Sequence, residues 1–150
     1  MDWMLLPFKR YAEFTGRSRR MEYWMFSLLY LLVFVVAGIL MAVGGLDLET
    51  LAGTSTATSE PGPLFYVGAG IIGLFFLGSF IPGIAVTIRR FHDRDMSGWW
   101  VLGFAVLGVL PFVGWLASIA QLVIMALPGT KGPNRFGDDP IDPNSADVFS

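Results

Sequence analysis

Long apolar runs separated by short charged clusters set the pattern of this chain. No residue from Tyr23 to Leu46, from Pro61 to Ile88 or from Met96 to Thr130 carries a charge. A helix needs roughly 20 apolar residues to cross about 30 Å of hydrocarbon. The first two runs therefore predict one span each, near residues 23–43 and 64–88. A cleaved signal peptide fits the first run poorly. The segment before it and its apolar stretch are both too long, and no small-x-small site follows.

The third run, Trp99 to Leu127, is too long for one untilted span and carries Leu-Pro-Phe-Val-Gly at 110–114. Proline removes a helix hydrogen bond and disfavours helical backbone in the residue before it. The run is either one kinked helix or two short ones, near 99–110 and 114–127, forming a short or re-entrant hairpin. The basic residues arbitrate. Every Lys and Arg falls in residues 9–20, in 89–94, or at Lys131 and Arg135, and the 44–63 loop holds none. Positive-inside bias then places the N-terminus and the 89–98 loop in the cytoplasm and the 44–63 loop outside. A hairpin would bring Lys131 and Arg135 inside too, so the pattern favours four helical segments with both ends cytoplasmic. The fold class expected is an all-α polytopic membrane helix bundle of three to four transmembrane segments, one membrane domain over 1–140.

Outside the spans, a helix beginning near Pro7 would put Phe8, Tyr11, Ala12 and Phe14 on one face, opposite Lys9, Arg10 and Glu13. This is the pattern of an interfacial helix or of a surface helix packed on protein. Ser18 is placed to cap the helix that follows it, and Ser97 likewise the helix that opens near the tryptophan pair. After Leu127 prolines and glycines forbid regular structure, predicting an irregular tail that frays over 141–150. Small residues four apart (Gly38/Ala42, Ala69/Gly73, Ser79/Gly83, Gly114/Ser118) predict close helix packing.

Composition sharpens the class. The chain is 54% hydrophobic and 15% charged, with mean hydropathy +0.61. It contains no cysteine, which removes disulfides, thiolate metal sites and a cysteine nucleophile. The net charge of -2 says little, because the charges are segregated.

Three ordered motifs carry a resemblance. They are FTGRSRRMEYW at 14–24, PGIAVTIRRFHDRDMSGWW at 82–100 and PGTKGPNRFGDDP at 128–140. Together they closely resemble domain-of-unknown-function family 805, the YhaH-like bacterial inner-membrane proteins, along essentially the whole chain. The 44–63 loop looks longer than that family's usual connection. The resemblance implies a small inner (plasma) membrane protein and leaves its biochemical activity open.

The cluster RRFHDRDMSGWW at 89–100 admits several readings. The plainest is structural: arginines anchor topology, Arg89 and Asp93 pair at i,i+4, and Trp99 and Trp100 sit in the interfacial belt. A binding reading gathers Arg17, Arg19, Arg20, Arg89, Arg90, His92, Asp93, Asn134 and Arg135 (with Arg94 beside them) into a cytoplasmic rim. That rim would hold an anionic phospholipid or a membrane protein partner, a second copy included. A catalytic reading makes His92 a general base oriented by Asp138 or Asp139, with Ser97 the nearest nucleophile. No cofactor, metal or nucleic acid is expected. Ion pathways carry ionisable residues inside the membrane, and none lies in these runs, which disfavours a pump and leaves a small oligomeric pore as the transport reading. The expectation is a non-catalytic membrane module. The tail is expected to fold back over 89–93, pairing Asp138 or Asp139 with an arginine and Asn134 with backbone or His92.

Overall fold

In a computed structural model, residues 2–45, 53 and 60–141 are described, and they contain five helices and no strand. These are α1 (Asp2–Lys9), α2 (Arg20–Gly45), α3 (Pro63–Asp93), α4 (Trp100–Gly108) and α5 (Val113–Ala126). Most of the 44–63 loop, and the tail beyond Ile141 for which fraying is expected, lie outside the described residues. α2 and α3 are long and apolar enough to cross a membrane, whereas α5 is a shorter apolar helix. The third apolar run is thus two helices. Gly108 ends the first and Pro111 stands in the turn before the second.

The chain forms two compact units, one of residues 28–79 and one of residues 1–27 with 80–150. In the first, α2 and α3 run antiparallel. Gly62 donates from its backbone to Gly44 (2.8 Å), and the Tyr30 hydroxyl donates to the Ser79 carbonyl (3.0 Å) at the far end. Tyr30 also meets Phe75 edge to face at 4.9 Å. The close approach runs through Ala37 and Gly68. A Cβ on Gly68 would lie 2.6 Å from the Ala37 carbonyl oxygen. Between α2 and α3 small-residue packing is therefore present, but shifted by one residue from the expected Gly38/Ala42 and Ala69/Gly73, whereas the expected Gly114 does sit at a close approach, 2.6 Å from a Cβ there to the Gly108 carbonyl oxygen. Gly38 and Gly73 face open space. One residue turns a helix by about 100°, and adjacent small residues such as Ala37 and Gly38 leave the packing face ambiguous in sequence.

In the other unit, Phe91, Phe104, Ala117 and Met125 form an apolar core, with Val101 and Ile124 packed on it. Residues near the start of α4 and the end of α5 thus share one cluster, so the α4–α5 pair returns to where it began. The helical hydroxyls of Ser27, Ser79, Thr87 and Ser118 each donate to the carbonyl four residues earlier, at 2.6–2.9 Å. That satisfies them without any outside partner, as a lipid-facing helix requires.

Three local expectations are corrected. α1 begins at Asp2 and ends at Lys9, so of the proposed apolar face only Phe8 is helical. Asp2 supplies the favourable N-terminal charge. Pro7 lies buried inside the helix, and Phe8 packs edge to face on Phe26 at 5.4 Å. Ser18 does not cap α2. Its hydroxyl donates to the Glu22 carboxylate at 2.5 Å. Ser97 makes only a long contact with the Trp99 N–H, at 3.4 Å.

Gly68→Ala should destabilise the α2–α3 contact by about 1–3 kcal/mol, because the clash is with backbone and the helices must separate. Gly70→Ala, which meets nothing within 4 Å, is the control and should leave the melting temperature in detergent unchanged or raised.

Candidate functional site

The three motifs converge on the last turn of α3. Arg89, Arg90 and Asp93 are there, all buried. Successive residues on a helix diverge by about 100°, so the two arginines serve different neighbours. Arg89 turns to the start of α2. Its Nη2 donates to the Glu22 carboxylate at 2.7 Å, and its Nη1 donates to the carbonyls of Glu13 and, at 3.3 Å, Arg10. Arg90 turns to the end of α5 and donates to the carbonyls of Met125 (3.1 Å) and Leu127, and to Asp93. The last carbonyls of a helix have no partner within it and carry its negative partial charge. Arg90 is therefore a side-chain cap on α5, joined by Arg20 at Ala126 (3.4 Å).

The expected Arg89–Asp93 pair is not formed. Asp93 instead pairs with Arg90, three residues back, and with Arg17, whose Nε donates to Oδ1 at 2.9 Å. Arg17 spends its remaining donors on the tail, at the carbonyls of Thr130 (2.5 Å) and Gly132 (2.7 Å). Asp93 also holds the tail through its backbone. Its carbonyl accepts from the Thr130 N–H (2.8 Å) and, at 3.2 Å, from the Thr130 hydroxyl. The tail passes so close that a Cβ on Gly129 would lie 2.0 Å from the carboxylate. No other residue fits there without moving the chain.

The rest of the tail closes over His92. Asn134 donates to the His92 carbonyl (2.9 Å) and to the Thr130 hydroxyl (3.0 Å), while its side-chain oxygen accepts from the Phe136 N–H. Phe136 lies flat on the imidazole, 3.9 Å between centroids and 4° from parallel. The His92 Nδ1 faces the Gly16 carbonyl at 3.2 Å. The tail aspartate that reaches an arginine is Asp139, at 4.0 Å from Arg17. Although partial burial opposes its ionisation, backbone N–H groups of Ile141 and Gly132, together with Arg17 and Arg19, hold its carboxyl below the ordinary range. On the N-terminal segment, the Arg10 guanidinium bonded to Glu13 likewise holds that carboxyl low.

The candidate residues thus divide into two shells. Arg17, Arg89, Arg90, His92 and Asp93 are buried and, with half-buried Asn134, committed to partners of this chain. Arg20 and Arg135 are exposed, and half-buried Arg19 lies over Trp3 and donates to the Pro140 carbonyl. Arg135 pairs with Asp95 at 3.1 Å in water. Arg94 donates to the Pro128 carbonyl at 2.7 Å. Glu22 was absent from the expected site, and its signal was visible: a carboxylate beside an otherwise charge-free run, four residues after Ser18. His92 and Asp139 do not meet. Among the described residues no group of three His, Asp or Glu side chains could hold a metal.

Two long apolar helices, an apolar hairpin and a buried ion-pair cluster at their polar end define a small helical membrane protein. The chain belongs to the family described as "Protein of unknown function (DUF805)", which matches residues 11–138. It is 38% identical over 140 residues to the inner membrane protein YhaI of Escherichia coli (strain K12), covering 93% of this chain and 96% of that one. To the inner membrane protein YhaH of the same strain it is 39% identical over 141 residues, covering 93% and 97%. No solved structure matches.

Removing one partner from a buried ion pair strands the other charge, at a cost of about 3–5 kcal/mol. Arg89→Ala and Glu22→Ala should each lower thermal stability by that order, and the double Arg89→Met/Glu22→Leu should recover most of the loss. A double variant less stable than both single ones would mean that Arg89 is held by its carbonyl contacts rather than by Glu22.

Proposed function

We propose that this protein is a multi-pass inner-membrane protein whose N-terminal segment, 89–98 segment and tail face the cytoplasm, and that it acts as a non-catalytic module holding an anionic phospholipid headgroup outside the buried cluster. The orientation is supported by the charge pattern, since every Lys and Arg lies in the segments assigned inward. The observation that carries the lipid reading is the division into shells. With Arg17, Arg89 and Arg90 consumed internally, Arg20, Lys131 and Arg135 remain exposed on the same unit as the exposed indoles of Trp24, Trp99 and Trp100. Indoles favour the headgroup level. There the anionic leaflet attracts each nearby basic residue by about 1 kcal/mol. The exposed Arg135–Asp95 pair is worth little in water, so a phosphate can take its place.

The catalytic reading needs His92 to meet a tail aspartate at an open cleft. Instead the imidazole is covered by Phe136 and directed at Gly16, while Asp139 is bonded to Gly132 and Ile141.

Purified with native lipid and measured by native mass spectrometry, the triple variant Arg20→Gln/Lys131→Gln/Arg135→Gln should lose most of its retained anionic lipid with little change in melting temperature. Retention equal to the parent would overturn the lipid reading, and a protein retained in place of lipid would move the proposal to a partner. For orientation, Glu60→Cys should react with an impermeant maleimide from outside intact cells and Lys131→Cys should not.

A further inference from the structure

The turn between α4 and α5 combines three properties that membership in a membrane family does not by itself explain. It is the most exposed apolar part of the molecule's hairpin: Phe112 is 90% exposed, Val109 83% and Trp115 73%. It contains no charged residue from Val109 to Leu116, and the Trp115 indole is its one side-chain hydrogen-bond donor. It is also strained. Phe112 has φ 62° and ψ -48°, and the Val113 N–H donates across it to the Pro111 carbonyl at 2.7 Å. That is a γ-turn of the rare positive-φ kind, in a residue type that costs about 1–3 kcal/mol to hold there.

The turn closes part of its own hydrogen bonding. Val109 donates to Val106, Leu110 to Leu107, and Gly114 to Leu110 at 2.8 Å, while the Phe112 and Trp115 N–H groups have no backbone acceptor among the described residues. Pro111 has no N–H to satisfy. Each bond closed within the turn spares the several kcal/mol that an unsatisfied group would cost inside hydrocarbon. The strain at Phe112 is what permits the Val113 bond and turns the aromatic ring outward.

Length then fixes the depth. At 1.5 Å per residue, α4 with its 9 residues spans about 14 Å and α5 with its 14 about 21 Å. Both fall short of the ~30 Å of hydrocarbon. The base of α5 is ringed by Arg90, Arg94 and Arg20, all bonded to carbonyls at 125–128, and such cations favour the headgroup level.

We infer that α4–α5 is a re-entrant hairpin that enters the acyl chains of the cytoplasmic leaflet and stops near the bilayer midplane, with Phe112 as its tip. This rests on the inward orientation proposed above for the hairpin base. The surface it presents is a lipid-facing wedge that displaces acyl chains from one leaflet only.

The chain has no cysteine of its own, so a single introduced thiol reports without background. Phe112→Cys, with Val109→Cys as a second tip position should the first not fold, is tested in right-side-out and inverted vesicles with an impermeant maleimide. The expected result is no reaction from either side. A nitroxide at the same thiol should collide with oxygen far more, relative to a water-soluble nickel chelate, than one at Lys131→Cys. Reaction from the outside would mean that the hairpin crosses, and reaction from the inside at the Lys131→Cys rate would mean that it lies in water. A nitroxide shielded from both oxygen and nickel would mean that protein covers the tip. Each of these sinks the inference. If Glu60→Cys and Lys131→Cys report the same side, the orientation fails while the depth at 112 is still read independently.

Discussion

A carboxylate that must be buried at the end of a membrane helix organises the polar half of this molecule. Asp93 is 2% exposed, and burying an unpaired charge is prohibitive. Its neutralisation by Arg90 and Arg17 ties α3 to the N-terminal segment and to the end of α5 in one step. Each guanidinium carries five donors in a fixed fork, more than one carboxylate can use. The surplus goes to backbone carbonyls at 125, 127, 130 and 132. The tail's lack of regular structure is what leaves those carbonyls available, because they have no helix or sheet partner of their own.

The same residues therefore answer two requirements. Clustered positive charge biases orientation during insertion, yet in the finished fold Arg17, Arg89 and Arg90 are buried. Arginine suits both, since it cannot be deprotonated in proteins and its planar fork matches carboxylates and paired carbonyls. A buried pair is weak evidence of net stability, for apolar replacements of similar volume are often as good. Its contribution here is selection of one arrangement. Arg17, Arg90, Asp93 and Gly129 fit only when the tail lies on α3 in this register, since a slip of one residue would set a Cβ into the carboxylate.

This explains what was and was not legible in the sequence. The two long spans follow from charge-free length, and Pro111 with Gly114 marked the break in the third run. The fold-back of the tail was legible from the excess of arginine near 89–94 and from prolines and glycines that restrict its unfolded alternatives. Individual pairings were not. Glu22 and Arg89 are 67 residues apart, and nothing local distinguishes an Arg89–Asp93 pair from an Arg90–Asp93 pair until the direction of the tail is known. α1 was misplaced for a related reason. Proline is common at the first turn of a helix, but Pro7 sits further along, where Phe8 can pack on Phe26. Arginine types alone likewise do not separate a ligand-holding rim from an internal clasp.

The clasp also makes the short helices tenable. A helix of 9 residues is marginal in isolation, because nucleation fixes several dihedrals for one hydrogen bond. α4 is held at its base by Phe91 stacking on Phe104, 5.8 Å between centroids, and α5 by its arginine cap. Both supports stem from the last turn of α3, through Arg90 and Phe91 on adjacent positions. The apolar hairpin is thus anchored through one end only, and its outer half is free to be shaped by whatever solvates it. In water the exposed Phe112 and Val109 would oppose the fold. In acyl chains they cost nothing, and the same sequence becomes stable. Polar clasp and apolar tip are two halves of one constraint: the first must exclude solvent by pairing its charges, and the second presents side chains that only an apolar solvent meets without cost.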